Sequence, residues 1–123
     1  MSRSSENLGR AALAIVAARE NIALIRTWAG AKPLAELRSN TLVRYAVERA
    51  FMAIHSALRD IPATVVPTSE LPTRLIAGFR NALAHTYDDI LDERVILTIR
   101  EDLPALDREF VELLARLENQ ARE

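Results

Sequence analysis

Apolar residues recur at steps of three and four along most of this chain, and this period is the feature that most limits its fold. Such steps place side chains on one face of an α-helix, whereas a half-buried β-strand requires alternation. Only three glycines interrupt the 123 residues. The first segment shows the period clearly, in Leu8, Ala11, Ala12, Ile15, Ala18, Ile22 and Ile25. The chain is therefore predicted to be all-α.

The first predicted helix has recognisable start and stop signals. Ser4 and Ser5 are candidate N-caps, because a serine hydroxyl can accept a hydrogen bond from a free N–H of the first turn. Gly30 is the expected end, since glycine is favoured just beyond the last helical residue. Residues 33–38 are long enough for one further helical turn.

The second predicted helix is capped by Ser39 or Thr41. Its expected buried stripe consists of Val43, Ala46, Val47, Ala50, Ile54 and Leu58. The stretch "IPATVVPTSE" then reads as a loop, in which Pro62 and Pro67 bracket a short β-like run.

The third helix is predicted over about residues 70–86, started by Ser69 and Pro72, and the fourth over 92–122. Pro104 should kink or divide the fourth helix, because proline lacks a backbone N–H and clashes with the preceding turn. The apolar stripe of this helix is Val95, Ile96, Ile99, Leu103, Leu106, Phe110, Leu113, Leu114 and Leu117. Short links between four helices predict an up-and-down antiparallel four-helix bundle, forming a single domain over residues 1–123.

Composition excludes several functional classes. The chain has no cysteine, which removes disulfides, thiolate metal sites and thiol nucleophiles. No segment approaches the roughly 20 apolar residues that span a bilayer, and the start does not resemble a secretory signal, so a cytoplasmic protein without membrane contact is expected. The net charge of −1 gives no strongly basic footprint for nucleic acid overall.

One polar cluster stands out in this aliphatic chain, the stretch "GFRNALAHTYDD" at residues 78–89. Histidine is the side chain best suited to moving protons near neutral pH, and arginine stabilises the charge on a phosphate during transfer. His85 could assist attack of a ribose 2′-OH on its own phosphate while Arg80 holds the non-bridging oxygens. This chemistry selects RNA, needs no metal and needs no cofactor.

The spacing of Arg80 and His85 does not by itself establish a site. An arginine five residues before a histidine arises by chance in about one chain in four of this composition. The two residues also lie about 140° apart around a helix axis, whereas Asn81 shares a face with His85, and Arg80 aligns with Tyr87. Either the helix loosens near His85, or a second chain completes the site, or Asn81 and His85 form a structural hydrogen bond at a helix end.

The wider motif is more specific. "IAGFRNALAHTYDDI", followed at a suitable distance by "DLPAL", resembles the HepT toxins of the HEPN superfamily, whose hallmark is Arg-Asn-x-x-x-His-x-Tyr. Arg80, Asn81, His85 and Tyr87 fill its four fixed positions. "RYAVERAF" in helix two is also similar to the family, and the resemblance covers most of residues 40–115.

The resemblance implies a homodimeric all-α ribonuclease that acts without metal as the toxin of a type VII toxin–antitoxin pair. It makes Arg80 and His85 catalytic, Asn81 a substrate-positioning residue, and Tyr87 the target of adenylylation. The implied antitoxin is an MntA-like nucleotidyltransferase that transfers AMP to this tyrosine and silences the toxin.

Some features depart from the family pattern and keep an alternative open. Many members carry a glutamate late in helix two, where this chain has His55 and Ser56. The alternative is a non-catalytic helical subunit that binds a nucleotide or the nucleotidyltransferase. His55 itself is either a partly buried histidine with a hydrogen-bond acceptor or a second polar group in the cleft. The acidic residues Asp88, Asp89, Asp92 and Glu93 are expected to favour the start of the fourth helix.

Overall fold

The computed structural model describes residues 3–88 and 90–123, and the regular elements within them are all helical. In chain order they are α1 (Arg3–Ala29), α2 (Leu34–Ser39), α3 (Thr41–Arg59), α4 (Thr73–Tyr87), α5 (Glu93–Leu97) and α6 (Leu103–Arg122). A 3₁₀ turn at Thr68–Glu70 precedes α4, and a π-helical segment at Thr98–Asp102 joins α5 to α6. The prediction of an all-α protein is confirmed.

The long helices pack as a bundle. Helix α1 contacts α3 and α6, and α4 contacts α3 on one side and the α5–α6 segment on the other, so the contacts close a ring of four. The short helix α2, the extra turn expected at 33–38, lies against α3. Among the helices in the described ranges, none combines the length and the apolar character that crossing a bilayer requires.

Several predicted helix starts are wrong in detail. Asn40, rather than Ser39 or Thr41, caps α3, because its backbone is extended and its side-chain oxygen accepts from the Val43 N–H at 3.1 Å. Ser4 and Ser5 lie inside α1, which already includes Arg3.

The segment between α3 and α4 also differs from its prediction. It contains no strand: the Val65 and Val66 N–H groups both donate to the Pro62 carbonyl, and this turn buries Val66. Ser69 lies in the 3₁₀ turn, and α4 starts only after Pro72.

Pro104 divides the last helical segment as predicted. It occupies the first turn of α6, where a missing N–H costs little. The preceding turns widen into the π-helical segment, in which the Leu103 N–H donates to the Thr98 carbonyl, five residues back. A change of helix type therefore accommodates the proline.

A stacked aromatic pair fixes α4 against α3. Phe51 and Phe79 are fully buried, and their rings stack with centroids 5.4 Å apart and planes 3° apart. Burying a phenylalanine contributes roughly 1.5–3 kcal/mol, so this pair holds the two helices in one register. Phe79 immediately precedes Arg80, and its burial turns the arginine towards the surface. The predicted stripes of α1 and of the last helical segment are buried or partly buried.

Candidate functional site

All four motif residues lie on one uninterrupted helix. Arg80 and Asn81 are exposed, His85 is half-buried, and Tyr87 is 69% exposed near the end of α4. The helix stays regular up to Asp88, whose N–H donates to the Ala84 carbonyl at 3.1 Å. Loosening of the helix near His85 is therefore ruled out. The angle of about 140° between Arg80 and His85 is retained within one chain.

His85 is held by a carboxylate across the next turn. Its Nδ1 lies 3.0 Å from Asp92 Oδ2, and the two side chains are 27% and 35% exposed. The turn is tight, because the Ile90 N–H donates to the His85 carbonyl at 2.7 Å. The other carboxylate oxygen, Asp92 Oδ1, accepts from the Val95 N–H at 3.2 Å and so caps α5. One side chain thus starts the next helix and orients the imidazole.

The electrostatics of this pair favour an ionised carboxylate. Partial burial alone raises the pKa of Asp92, but the Val95 N–H, the charge and hydrogen bond of His85, and the Arg94 N–H outweigh it, so the pKa is lowered. A charged carboxylate can only accept a hydrogen bond, so it favours the tautomer in which Nδ1 carries a hydrogen and donates it to Asp92.

Asn81 does not form the expected structural pair with His85. Within the described ranges, no hydrogen bond joins the two side chains, and Asn81 makes none with any other residue there. The amide is exposed on α4 and is free to contact a ligand or another chain.

The side chains of Arg80 and Tyr87 lie on a different part of the surface from that of His85. Both line an open groove of about 740 Å³ between α3 and α4, called here the α3–α4 groove. The described residues that line it are Arg49, Met52, His55, Ser56, Arg59, Arg80, Leu83, Ala84, Tyr87 and Asp88. The alignment predicted for Arg80 and Tyr87 is confirmed. His85 is absent from this lining, so one chain presents the arginine and the histidine separately.

His55 occupies an unusual position in the α3–α4 groove. Its ring lines the groove, yet Nδ1 is buried and has no hydrogen-bond partner among the residues in the structure's described ranges. The expectation of a histidine satisfied by a nearby acceptor is therefore wrong. The expectation of a second polar group in the cleft agrees with the lining.

Sequence reasoning missed one contact of the site and two residues of the groove. It expected Asp92 to favour the start of the fourth helix, which agrees with its place as the N-cap of α5, but nothing in the spacing indicated His85 as its partner. Arg49 and Arg59 sit ten residues apart on α3 and reach the groove only through the packing of α3 on α4. Asp89 lies outside the described residues. The described residues contain no group of three or more potential metal ligands.

Comparison with known proteins places this site in a family. Residues 18–113 match the family model described as "Ribonuclease HepT-like". The chain belongs to the HepT-like ribonuclease family. A Methanocaldococcus jannaschii protein named "Putative RNase" is 29% identical over 84 residues, which cover 68% of this chain and 72% of that protein. No solved structure gives a significant match. The HepT resemblance of the sequence is thus confirmed, and family membership supports ribonuclease activity.

Proposed function

We propose that this protein is a metal-independent ribonuclease toxin of a type VII toxin–antitoxin pair. The reaction is transesterification. The ribose 2′-oxygen forms a bond to the adjacent phosphorus, the bond from phosphorus to the 5′-oxygen breaks, and the 2′-OH proton passes to a base while the leaving oxygen gains one. His85 moves a proton, Arg80 binds the non-bridging oxygens, and Asn81 positions the substrate.

The observation that carries this proposal is the pairing of His85 with Asp92 on the helix that also exposes Arg80. A histidine whose Nδ1 is held 3.0 Å from a carboxylate has a fixed orientation, and this orientation serves general acid–base catalysis.

The active unit in this proposal is a homodimer. Since one continuous helix separates Arg80 from His85 by about 140°, one RNA phosphate meets both side chains only if two chains contribute. A two-fold axis beside the α3–α4 groove then creates two equivalent sites from two copies of the motif.

The proposed regulator is an MntA-like nucleotidyltransferase antitoxin. The Tyr87 oxygen forms a bond to the α-phosphorus of ATP, and the bond from that phosphorus to the oxygen bridging to the β-phosphate breaks. The hydroxyl proton passes to a base, and pyrophosphate leaves. Exposure of Tyr87 makes the hydroxyl reachable, and its place beside Arg80 in the groove explains inhibition. The added phosphate competes for the arginine, and the adenosine fills the space.

The test is expression of the chain alone in bacteria, with cleavage of RNA by the purified protein. Arg80→Ala and His85→Ala should each relieve growth arrest and abolish cleavage while the protein stays folded, because neither side chain is in the core. Arg74→Ala is the matched control, since Arg74 is exposed on the same helix and outside the groove. If all three variants stay folded and cleave RNA, the assignment is wrong. A folded wild-type chain that cleaves nothing but binds its nucleotidyltransferase would instead identify a non-catalytic partner subunit.

A further inference from the structure

The α3–α4 groove concentrates positive charge that the fold does not use. Arg49, Arg59 and Arg80 all line it, and none has an ion pair or hydrogen bond with any residue in the described ranges. Some arginines elsewhere are engaged: Arg19 binds Asp107 and Arg100 binds two backbone carbonyls. Asp88 is the single acidic residue in the described lining. Three unpaired guanidinium groups facing one groove indicate an anionic ligand with several charges.

The buried Nδ1 of His55 adds an independent observation. A buried polar atom without a partner normally costs free energy, and no bond among the described residues offsets it here. An unpaired buried acceptor is tolerated more often than an unpaired buried donor. A tautomer with its hydrogen on Nε2 leaves no unpaired N–H at the buried Nδ1, and it makes Nε2, which is not among the buried unpartnered atoms, the donor for a ligand in the groove.

The groove also provides an apolar surface for a flat ring. Met52, Leu83 and Ala84 line it together with the exposed Tyr87. Bases of single-stranded RNA stack on aromatic and apolar side chains while arginines follow the backbone. Charge, donor and apolar surface thus match one nucleotide with its flanking phosphates.

We propose that the α3–α4 groove is a subsite for a nucleotide of single-stranded RNA next to the cleaved bond. Arg49 and Arg59 bind flanking phosphates, and His55 is a positioning residue that donates from Nε2 to the same nucleotide. The proposal rests on the ribonuclease function above. It adds residues on α3 that lie outside the Arg-Asn-His-Tyr motif. His55 and Ser56, which stand where many family members carry a glutamate, then contribute to substrate choice.

The first experiment measures binding of a fluorescent 2′-O-methyl oligoribonucleotide, which cannot be cleaved, across a range of salt concentrations. Each phosphate contact on a single strand contributes about 0.7 to the slope of log K against log salt. Arg49→Gln and Arg59→Gln should each lower the slope by about 0.7, and the double variant by about 1.4. Arg74→Gln should leave the slope unchanged. An unchanged slope in the folded double variant would overturn the proposal.

The second experiment separates a ligand role of His55 from a structural one. His55→Leu removes the unpartnered nitrogen, so thermal stability should stay the same or rise, while KM for RNA rises several-fold. His55→Gln places an amide donor near the position of Nε2 and should restore most of the KM. If His55→Leu instead lowers stability and leaves KM unchanged, the residue is structural and the subsite is refuted.

Two outcomes distinguish this subsite from the ribonuclease function itself. If the wild-type protein binds the oligonucleotide with the expected slopes but cleaves no RNA, the subsite is supported and the proposed ribonuclease function is refuted. If the wild-type protein cleaves RNA and the groove variants retain its KM but lose dimerisation in sedimentation, the groove is covered by the second copy and the subsite is wrong.

Discussion

Asp92 offers the most discriminating substitution, because its two carboxylate oxygens perform separable tasks. Oδ1 caps α5 through the Val95 N–H, and Oδ2 pairs with His85. Asparagine is as good an N-cap as aspartate, so Asp92→Asn keeps the cap and loses the charge. Asp92→Ala loses both. The difference in unfolding free energy between the two variants therefore measures the contribution of the cap. The difference between wild type and Asp92→Asn measures the contribution of the charge.

The expected magnitudes follow from the exposure of the pair. Since both side chains are about one-third exposed, solvent screens the ion pair, and its loss costs about 0.5–1 kcal/mol of unfolding free energy. Loss of the cap costs about a further 1 kcal/mol in Asp92→Ala. For catalysis, losing a charge-assisted hydrogen bond of about 1.5 kcal/mol from the transition state slows cleavage about tenfold. Urea denaturation and single-turnover cleavage of a short RNA measure the two effects.

The pH dependence gives a check with a definite sign. The pKa of Asp92 is lowered in the folded chain, so its contribution is fully present above the unfolded value of about 4 and is lost as pH falls through the folded value. The stability gap between wild type and Asp92→Asn should therefore stay constant above about pH 4 and narrow as pH falls below it. A gap that does not narrow below about pH 4, or an Asp92→Asn variant that cleaves at the wild-type rate, would refute the role given to this pair.

Three further predictions concern assembly, modification and helix packing. Sedimentation at micromolar concentration should give twice the chain mass, and a fully active monomer would contradict the two-chain site. Co-expression with the cognate nucleotidyltransferase should place AMP on Tyr87, seen by peptide mass spectrometry and absent in Tyr87→Phe; protection without this modification would mean that silencing works by another route. Gly30→Ala should destabilise the fold by about 1 kcal/mol or more, because its Cβ would lie 2.5 Å from the Arg26 carbonyl oxygen. A Cβ added at Gly9 would meet no atom within 4 Å, so Gly9→Ala should stabilise the fold by about 0.5–1 kcal/mol. Equal melting temperatures for the two variants would contradict this reasoning.

The helices were predictable because burial and helical period coincide in this chain. The stripe in α1, for example, contains Ile15, Ile22 and Ile25, all of them buried. The start of α3 was less predictable because Ser39, Asn40 and Thr41 are three adjacent residues with capping side chains. The residue that caps the helix is the one whose backbone is extended. Helix α2 ends at Ser39, and Asn40, the next residue, has the extended backbone. Local chemistry therefore located the boundary to within one residue but could not select the cap.

The angle between the motif side chains around their helix was predictable from the sequence, whereas the residues that other helices bring to the site were not. Five residues of helix fix the angle between Arg80 and His85, so the sequence predicted that the two side chains diverge and gave a second chain as one of its alternatives. The approach of Arg49 to the same groove depends on the register of α3 against α4, which the buried stack of Phe51 on Phe79 sets. Contacts between residues about thirty positions apart do not leave a spacing signal.

Local charge matters more for RNA binding than the net charge of −1. At physiological ionic strength, charges on the surface are screened beyond about 8 Å, so acidic residues farther than this from the α3–α4 groove add little there. Among the described residues of the groove, Arg49, Arg59 and Arg80 have no ion pair or hydrogen bond, and Asp88 is the acidic residue that lines it. A strand that enters the groove therefore meets attraction at short range. If the α3–α4 groove is the subsite proposed above, this arrangement favours one short segment of RNA at the motif over non-specific coating of the protein, although the net charge of −1 gives no basic footprint.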